Sequence, residues 1–189
     1  MTITTKKVIQ SFIIVPLVAT TFSVNTFTAS INQAVAKTTT PVVAAPTPEE
    51  SALQESEKRE AAKIDAYFTQ YDLPLAGHGM TFVTEAQKSG IPWTLLPAIA
   101  MAESTGCKYV IAGTNNCFGW GSGKIKFSSI DDAIAEISKN LGGNDPDTAQ
   151  YYDGKSVKEI LEMYNPPRIA PGYQARVLRI MADIDKAQI

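Results

Sequence analysis

Beyond residue 50 the chain is a succession of short amphipathic stretches, each with its own start and stop signals, which confines it to a small, mainly α fold. Ser51–Tyr71 is rich in Ala, Glu, Lys and Gln, all strong helix formers. Its apolar residues Ile64, Tyr67, Phe68 and Tyr71 recur at i, i+3, i+4 and i+7, the spacing of a core-facing stripe. The half before Arg59 is nearly all polar and is expected to project into solvent. Leu73-Pro74 ends this helix. Met80–Ser89 follows, with Phe82, Val83 and Ala86 on one face and Gly90 as a left-handed stop. Thr94–Ser104 is the next helix, with Thr94 as its expected cap, Pro97 in its first turn and Gly106 closing it. Ser129 starts another that carries Ile134, Ile137 and Leu141, and Ser156-Val157-Lys158-Glu159 is a capping box that opens a short one to Tyr164. A last helix, about Tyr173–Ala187, aligns Val177, Ile180, Met181 and Ile184. Strand-like residues are confined to Tyr109–Ile111 and Lys124–Phe127, so the fold allows at most a small β-hairpin.

The first fifty residues have a different character. Residues 1–36 contain no Asp or Glu, and Lys6 and Lys7 precede an apolar stretch whose unbroken part, Phe12–Ala19, is too short to span a bilayer of roughly 20 residues. With Ala34-Val35-Ala36 as a cleavage site, 1–36 reads as a secretory signal, the alternative being an uncleaved anchor. Residues 37–50 hold three prolines among Thr and Ala and read as an extended linker. Residues 51–72 then form the N-terminal helix and 73–189 the main domain. The protein is expected to be exported, either secreted or held at the membrane by an uncleaved N-terminal segment.

Composition narrows the chemistry. The chain has 17 Lys and Arg against 19 Asp and Glu, a balance that supplies no overall attraction to nucleic acid. One His and two Cys cannot complete a four-ligand zinc site from nitrogen and sulfur donors, so no metal and no cofactor is expected. A Ser-His-Asp triad would have to use His78, in a Gly-His-Gly turn that offers no rigid support. What remains is chemistry by carboxylates, hydroxyls and amides.

Among the carboxylates, Glu103 breaks the pattern. Leu96, Ile99, Ala100 and Glu103 share one face of the Thr94–Ser104 helix, so the acid extends an apolar stripe instead of lying on the wet side. A carboxyl placed there loses hydration, and the negative end of the helix dipole adds to the effect; both favour the protonated form that a general acid needs. The alternative is a helix rolled slightly so that Glu103 lies at the boundary.

The residues around Glu103 carry a resemblance. Leu96-Pro97-Ala98-Ile99-Ala100-Met101-Ala102-Glu103-Ser104-Thr105 resembles the catalytic helix of the lysozyme-like superfamily, and Ser89-Gly90-Ile91-Pro92-Trp93-Thr94 is similar to the lead-in of lytic transglycosylases and bacterial glucosaminidases. Asn115-Asn116-Cys117-Phe118-Gly119 resembles the Asn-Asn-x-Phe-Gly segment of the endo-β-N-acetylglucosaminidase-like family. Phe127–Ile134 resembles that family's next helix start, and Tyr164-Asn165-Pro166-Pro167 the Tyr-Asn segment of lytic transglycosylases. The resemblance spans roughly residues 73–185. It implies a lysozyme-like α domain that cuts β-1,4 bonds of peptidoglycan or a related N-acetylglucosamine polymer, with Glu103 as the acid that protonates the glycosidic oxygen. It further implies that Asn116 shapes the cleft floor by hydrogen bonds and that Phe118 stacks on a sugar. Trp120 would be a sugar platform, and Tyr164 would hydrogen-bond the reacting groups. For each of these four, packing in a loop or core is the plainer alternative.

Two further expectations follow. Cys107 and Cys117, in an exported chain, are expected to bridge and to pin the Asn-Asn-Cys-Phe-Gly segment beside the acid, two buried thiols being the alternative. Glycosidases normally use two carboxylates, about 5–5.5 Å or 6.5–9.5 Å apart, yet no second acid is marked here. Asp131 and Asp132 suit a helix N-terminus, and Asp145, Asp147 and Asp153 a polar turn. That leaves a base on an unassigned loop, participation by the substrate's N-acetyl group, or attack by one of its own hydroxyls. The rival reading is a wall-glycan binding or assembly protein that keeps the groove without turnover.

Overall fold

The computed structural model describes residues 47–189. The signal segment and most of the expected linker lie outside the described residues. Helices make up 57% of the structure and no strand occurs among the described residues, which makes the class mainly α. The elements in chain order are α1 (Pro48–Gln70), α2 (Gly79–Ser89), α3 (Leu95–Ser104), α4 (Ile130–Leu141), α5 (Ala149–Tyr152), α6 (Val157–Tyr164) and α7 (Tyr173–Asp185). No helix among them is long and apolar enough to cross a membrane.

α1 begins three residues earlier than expected, because Thr47 and Glu50 close a capping box and Pro48 takes the first helical position, where its missing N–H costs nothing. Its first half is largely exposed, and its second half buries Ala61, Ile64, Tyr67 and Phe68. α2 crosses it closely: a Cβ on Gly79 would lie 2.2 Å from the Ala61 carbonyl oxygen, so only glycine permits that approach. Asp65 Oδ1 accepts the Gly77 and Gly79 N–H groups at 2.8 Å each, satisfying the start of α2. α2 ends at Gly90 with φ 69°, as its sequence predicts.

α3 contributes most of its residues to the core. Leu95, Leu96, Ala98, Ile99 and Ala100 are each at most 1% exposed, so the first half of the helix is buried all round, not along one stripe. It packs along α7, which buries Tyr173, Val177, Ile180 and Ile184. Thr94 does not cap α3: its side chain makes no cap hydrogen bond, and its own backbone is already helical. The first turn is closed instead by the Leu95 N–H donating to the Pro92 carbonyl at 2.9 Å.

Ser129 caps α4 by accepting the Asp132 N–H, and Ser156 and Glu159 form the expected capping box of α6. α5 is only four residues long and had no periodicity to announce it. His78 Nδ1 lies 2.7 Å from Asp131 Oδ1 and ties the start of α2 to that of α4. This hydrogen bond holds the Asp131 carboxyl below its ordinary value of 3.8. A depressed carboxylate contributes stability above its unfolded value and loses it as pH falls through the native value. The variant Asp131→Asn should therefore show a flatter decline of Tm below about pH 4 than the native chain.

No hairpin forms among the described residues, within the bound the sequence set. Between α3 and α4, residues Cys107, Gly113, Asn115, Gly119, Gly121, Ser122 and Gly123 all have positive φ, which a strand cannot accommodate. Side-chain amides take over the role of the ladder. Asn115 Nδ2 donates to the Phe127 carbonyl at 3.0 Å, and Asn116 Nδ2 donates to the carbonyls of Trp120 at 2.8 Å and Ile125 at 3.0 Å.

Candidate functional site

Glu103 stands in the last turn of α3, where the buried central helix first meets solvent, and its side chain is half-buried. It opens onto a cleft of about 510 Å³ lined by Glu103, Gly119, Trp120, Gly121, Ser122, Tyr164 and Asn165. One wall therefore comes from the loop after α3 and the other from the end of α6.

Three devices hold the loop wall against the helix end. Cys107 and Cys117 are bonded as a disulfide that closes a ten-residue loop, worth roughly 2–3 kcal/mol by the chain-entropy argument. Ser104 is buried; its hydroxyl donates to the Cys117 carbonyl at 2.6 Å and accepts the Cys107 N–H at 2.9 Å. Thr105 ends α3 in the left-handed conformation, turning the chain sharply toward Cys107. Replacing Ser104 by Ala would orphan a buried N–H and a buried carbonyl. Denaturant unfolding should register a loss of about 1–3 kcal/mol for that variant.

Gly119 brings the loop up to the acid. Its φ is +67°, and a Cβ there would lie 2.8 Å from Glu103 Oε2. The absence of a side chain is what lets the backbone pass the carboxylate at this distance.

Beneath the cleft lies an aromatic layer. Trp120 contacts Tyr164 at 5.7 Å and Tyr152 at 6.4 Å between centroids, and Tyr164 stacks on Tyr173 at 6.3 Å with planes 6° apart. The Tyr164 hydroxyl donates to the Phe118 carbonyl, joining the two walls. Tyr173, 2% exposed, has a buried hydroxyl with no hydrogen-bond partner of normal geometry. The Glu103 carboxylate is a charged neighbour of that hydroxyl. Burial first, then this carboxylate, pushes the Tyr173 phenol far above its ordinary value. The same two causes act in the same order on Tyr164. Both phenols stay protonated.

The structure thus brings Glu103, Trp120 and Tyr164 to one cleft and corrects two sequence expectations. Phe118 is fully buried, packed edge-on against Phe82 at 6.5 Å, and offers no face for a sugar to stack on. Asn116 is 3% exposed, and its amide is spent within the loop: Nδ2 donates to two carbonyls and Oδ1 accepts the Trp120 N–H at 3.0 Å. It shapes the wall from behind. Tyr173, Ser122 and Asn165 were missed. For Tyr173 the helical periodicity announces burial beside Val177, but nothing in the sequence pairs it with Glu103.

Glu103 is the only acid among the residues lining the cleft. Asp131 and Asp132 sit at the start of α4, Asp132 accepting the Ser128 N–H, and Asp145 pairs with Lys139 at 2.7 Å. No cluster of three His, Cys, Asp or Glu suited to a metal ion occurs among the described residues. The arrangement offers one carboxyl for proton transfer, two neutral phenols near it and an aromatic wall. Comparison of the chain with protein-family models, curated proteins and solved structures finds no match.

Proposed function

We propose that this chain is an exported, lysozyme-like enzyme that cuts β-1,4 bonds in peptidoglycan or a related N-acetylglucosamine polymer. The observation that carries this reading is Glu103 itself: a carboxyl at the end of a buried helix, facing an open cleft walled by Trp120 and Tyr164. Sugars bind to protein surfaces through such pairings of an aromatic face with a few directed polar groups. The disulfide between Cys107 and Cys117 is compatible with action outside the cell.

In the proposed reaction Glu103 gives its proton to the glycosidic oxygen. The bond from that oxygen to the anomeric carbon breaks, its electron pair leaves with the oxygen, and positive charge spreads over the anomeric carbon and ring oxygen. The Glu103 carboxylate so created, which has gained the charge, has the buried, neutral Tyr173 phenol as a neighbour. With no other acid lining the cleft, the nucleophile comes from the substrate. Its acetamido oxygen closes on the anomeric carbon and water later opens the ring, or its 6-hydroxyl attacks while Glu103 takes back the proton. The first route ends in a reducing sugar, the second in a 1,6-anhydro sugar.

The lone carboxylate also favours a second reading, a glycan-binding protein without turnover. Digestion of purified peptidoglycan with the protein, followed by mass spectrometry of the soluble fraction, separates the two. Fragments with new reducing or anhydro ends are expected. Sedimentation with the wall and no new ends would identify the binder.

A further inference from the structure

Tyr71 belongs by its spacing to the core-facing stripe of α1, yet the structure leaves it 49% exposed at the end of that helix, edge-on to Tyr67 at 5.4 Å between centroids. It borders a groove of about 430 Å³ between the end of α1 and the end of α7. α1 contributes Tyr67 and Gln70 to the lining beside Tyr71; the end of α7 and the residues after it contribute Asp183, Lys186 and Gln188. The volume falls within the roughly 300–1,000 Å³ of small-ligand sites. No aliphatic side chain larger than alanine lines the groove, so it has no seat for an acyl chain.

The polar groups of this groove are unspent. Among the described residues the side chains of Gln70, Asp183 and Lys186 make no hydrogen bond and no ion pair. The Tyr67 hydroxyl has no partner either. Although the residue is only 7% exposed, that hydroxyl is not sealed off as those of Ser138 and Tyr173 are, and its opening is the groove. Burial, followed by its neighbours Tyr71 and Asp183, pushes the Tyr67 phenol up to about 12, so it stays a neutral donor. Two other surface grooves differ. Beside α2 and α4, Lys88 is held by Glu85 and Lys139 by Asp145, and beside the first half of α1, Lys63 is held by Asp185.

An aromatic ring beside a phenol, two amides and a carboxylate suits a sugar: the ring takes its C–H face, and the polar groups bond its hydroxyls and acetamide. One carboxylate against one ammonium leaves the lining without net charge, which selects neither an anion nor a cation. We infer that this groove is a second, non-catalytic site for a short run of N-acetylhexosamine units, separate from the Glu103 cleft. The inference takes its ligand from the proposed glycan-cleaving reading and adds a site to it. No residue lines both the groove and the cleft. Asp183 lies ten residues along α7 from Tyr173, about 15 Å by the helical rise. A polymer held at one site has a raised effective concentration at the other.

The test reads binding and cleavage separately. In the Glu103→Gln background, Tyr71→Ala should weaken binding to insoluble peptidoglycan about tenfold, as should Gln70→Ala combined with Asp183→Ala, while Tyr71→Phe, which keeps the ring, should stay within about twofold. With Glu103 intact, Tyr71→Ala and the polar pair should release fragments from insoluble peptidoglycan about five- to tenfold more slowly, yet cleave short soluble fragments of the same wall at the native rate. Unchanged binding in both Tyr71→Ala and the polar pair overturns the inference. So does a loss on the soluble fragments equal to that on the wall. A Tyr71→Ala chain that loses binding and Tm together, beside a polar pair that binds as the native chain does, overturns it as well, since the tyrosine would then only secure the end of α1. The two proposals fail differently. Loss of binding in the variants with no cleavage by the native chain keeps the groove and removes the glycosidase reading, whereas native cleavage with unchanged binding in the variants does the reverse.

Discussion

Glu103→Gln is expected to lower the rate of fragment release from peptidoglycan at least about a hundredfold, the smallest loss that removal of a general acid usually brings. Gln keeps the size of Glu and its carbonyl acceptor but has no proton to give at the pH of catalysis. The half-buried side chain lies in the last turn of α3, so its replacement by an amide of the same size leaves the core of Leu95, Leu96, Ile99 and Ala100 untouched. Tm and sedimentation with the wall should therefore stay near native values. A loss of rate accompanied by a comparable loss of binding would point to Glu103 as a substrate anchor, not the proton donor.

Gly119→Ala is expected to do nearly as much damage by a different route. The added Cβ would fall 2.8 Å from Glu103 Oε2, and the flexible carboxylate, not the backbone, would give way. A displacement on the order of 1 Å at a reacting group can cost about a hundredfold in rate, so a loss of roughly ten- to a hundredfold in kcat is predicted. The substitution also forces a side chain into the left-handed region, at roughly 1–2 kcal/mol. Gly154→Ala separates the two effects. Gly154 has φ +66° and nothing within 4 Å of the Cβ position, so it should carry the same backbone penalty and full activity. Equal activity losses at both positions would show that Gly119 matters only for stability.

The helices were legible because two local signals coincide in each. Ser156 and Glu159 form their capping box from residues three apart, and Phe82, Val83 and Ala86 repeat at the helical period. Local signals failed where long-range contacts decide. Thr94 has the chemistry of a cap, but it is buried and the Pro92 turn had already closed the helix start. Tyr109–Ile111 and Lys124–Phe127 have strand-like composition, yet the left-handed residues between them break the ladder and the Asn115 and Asn116 amides replace it. Those amide bonds also explain why Asn116 does not face the cleft.

The candidate site was legible in its acid and not in its support. Glu103 stands out because an ionisable group extends an apolar run, a conflict visible in one dimension. Trp120 lies between two glycines in a loop that passes the acid, and the structure seats both at one cleft. Phe118 carries the same aromatic signal as Trp120 but turns the other way, into the core beside Phe82. Only the three-dimensional path of the loop distinguishes them. Tyr173 reaches Glu103 from a helix some seventy residues later in the chain, a pairing no local pattern contains.

The central claim is that Glu103 supplies a proton to the departing sugar, and leaving-group dependence tests it most directly. The native chain and Glu103→Gln would be compared on N-acetylglucosamine oligomers linked either to a further sugar or to dinitrophenol, which departs without protonation. The deficit of the variant should exceed about a hundredfold on the sugar-linked substrate and shrink to within about tenfold on the dinitrophenyl one. An equal deficit on both substrates would contradict the account, because the carboxyl would then be doing something other than giving up its proton.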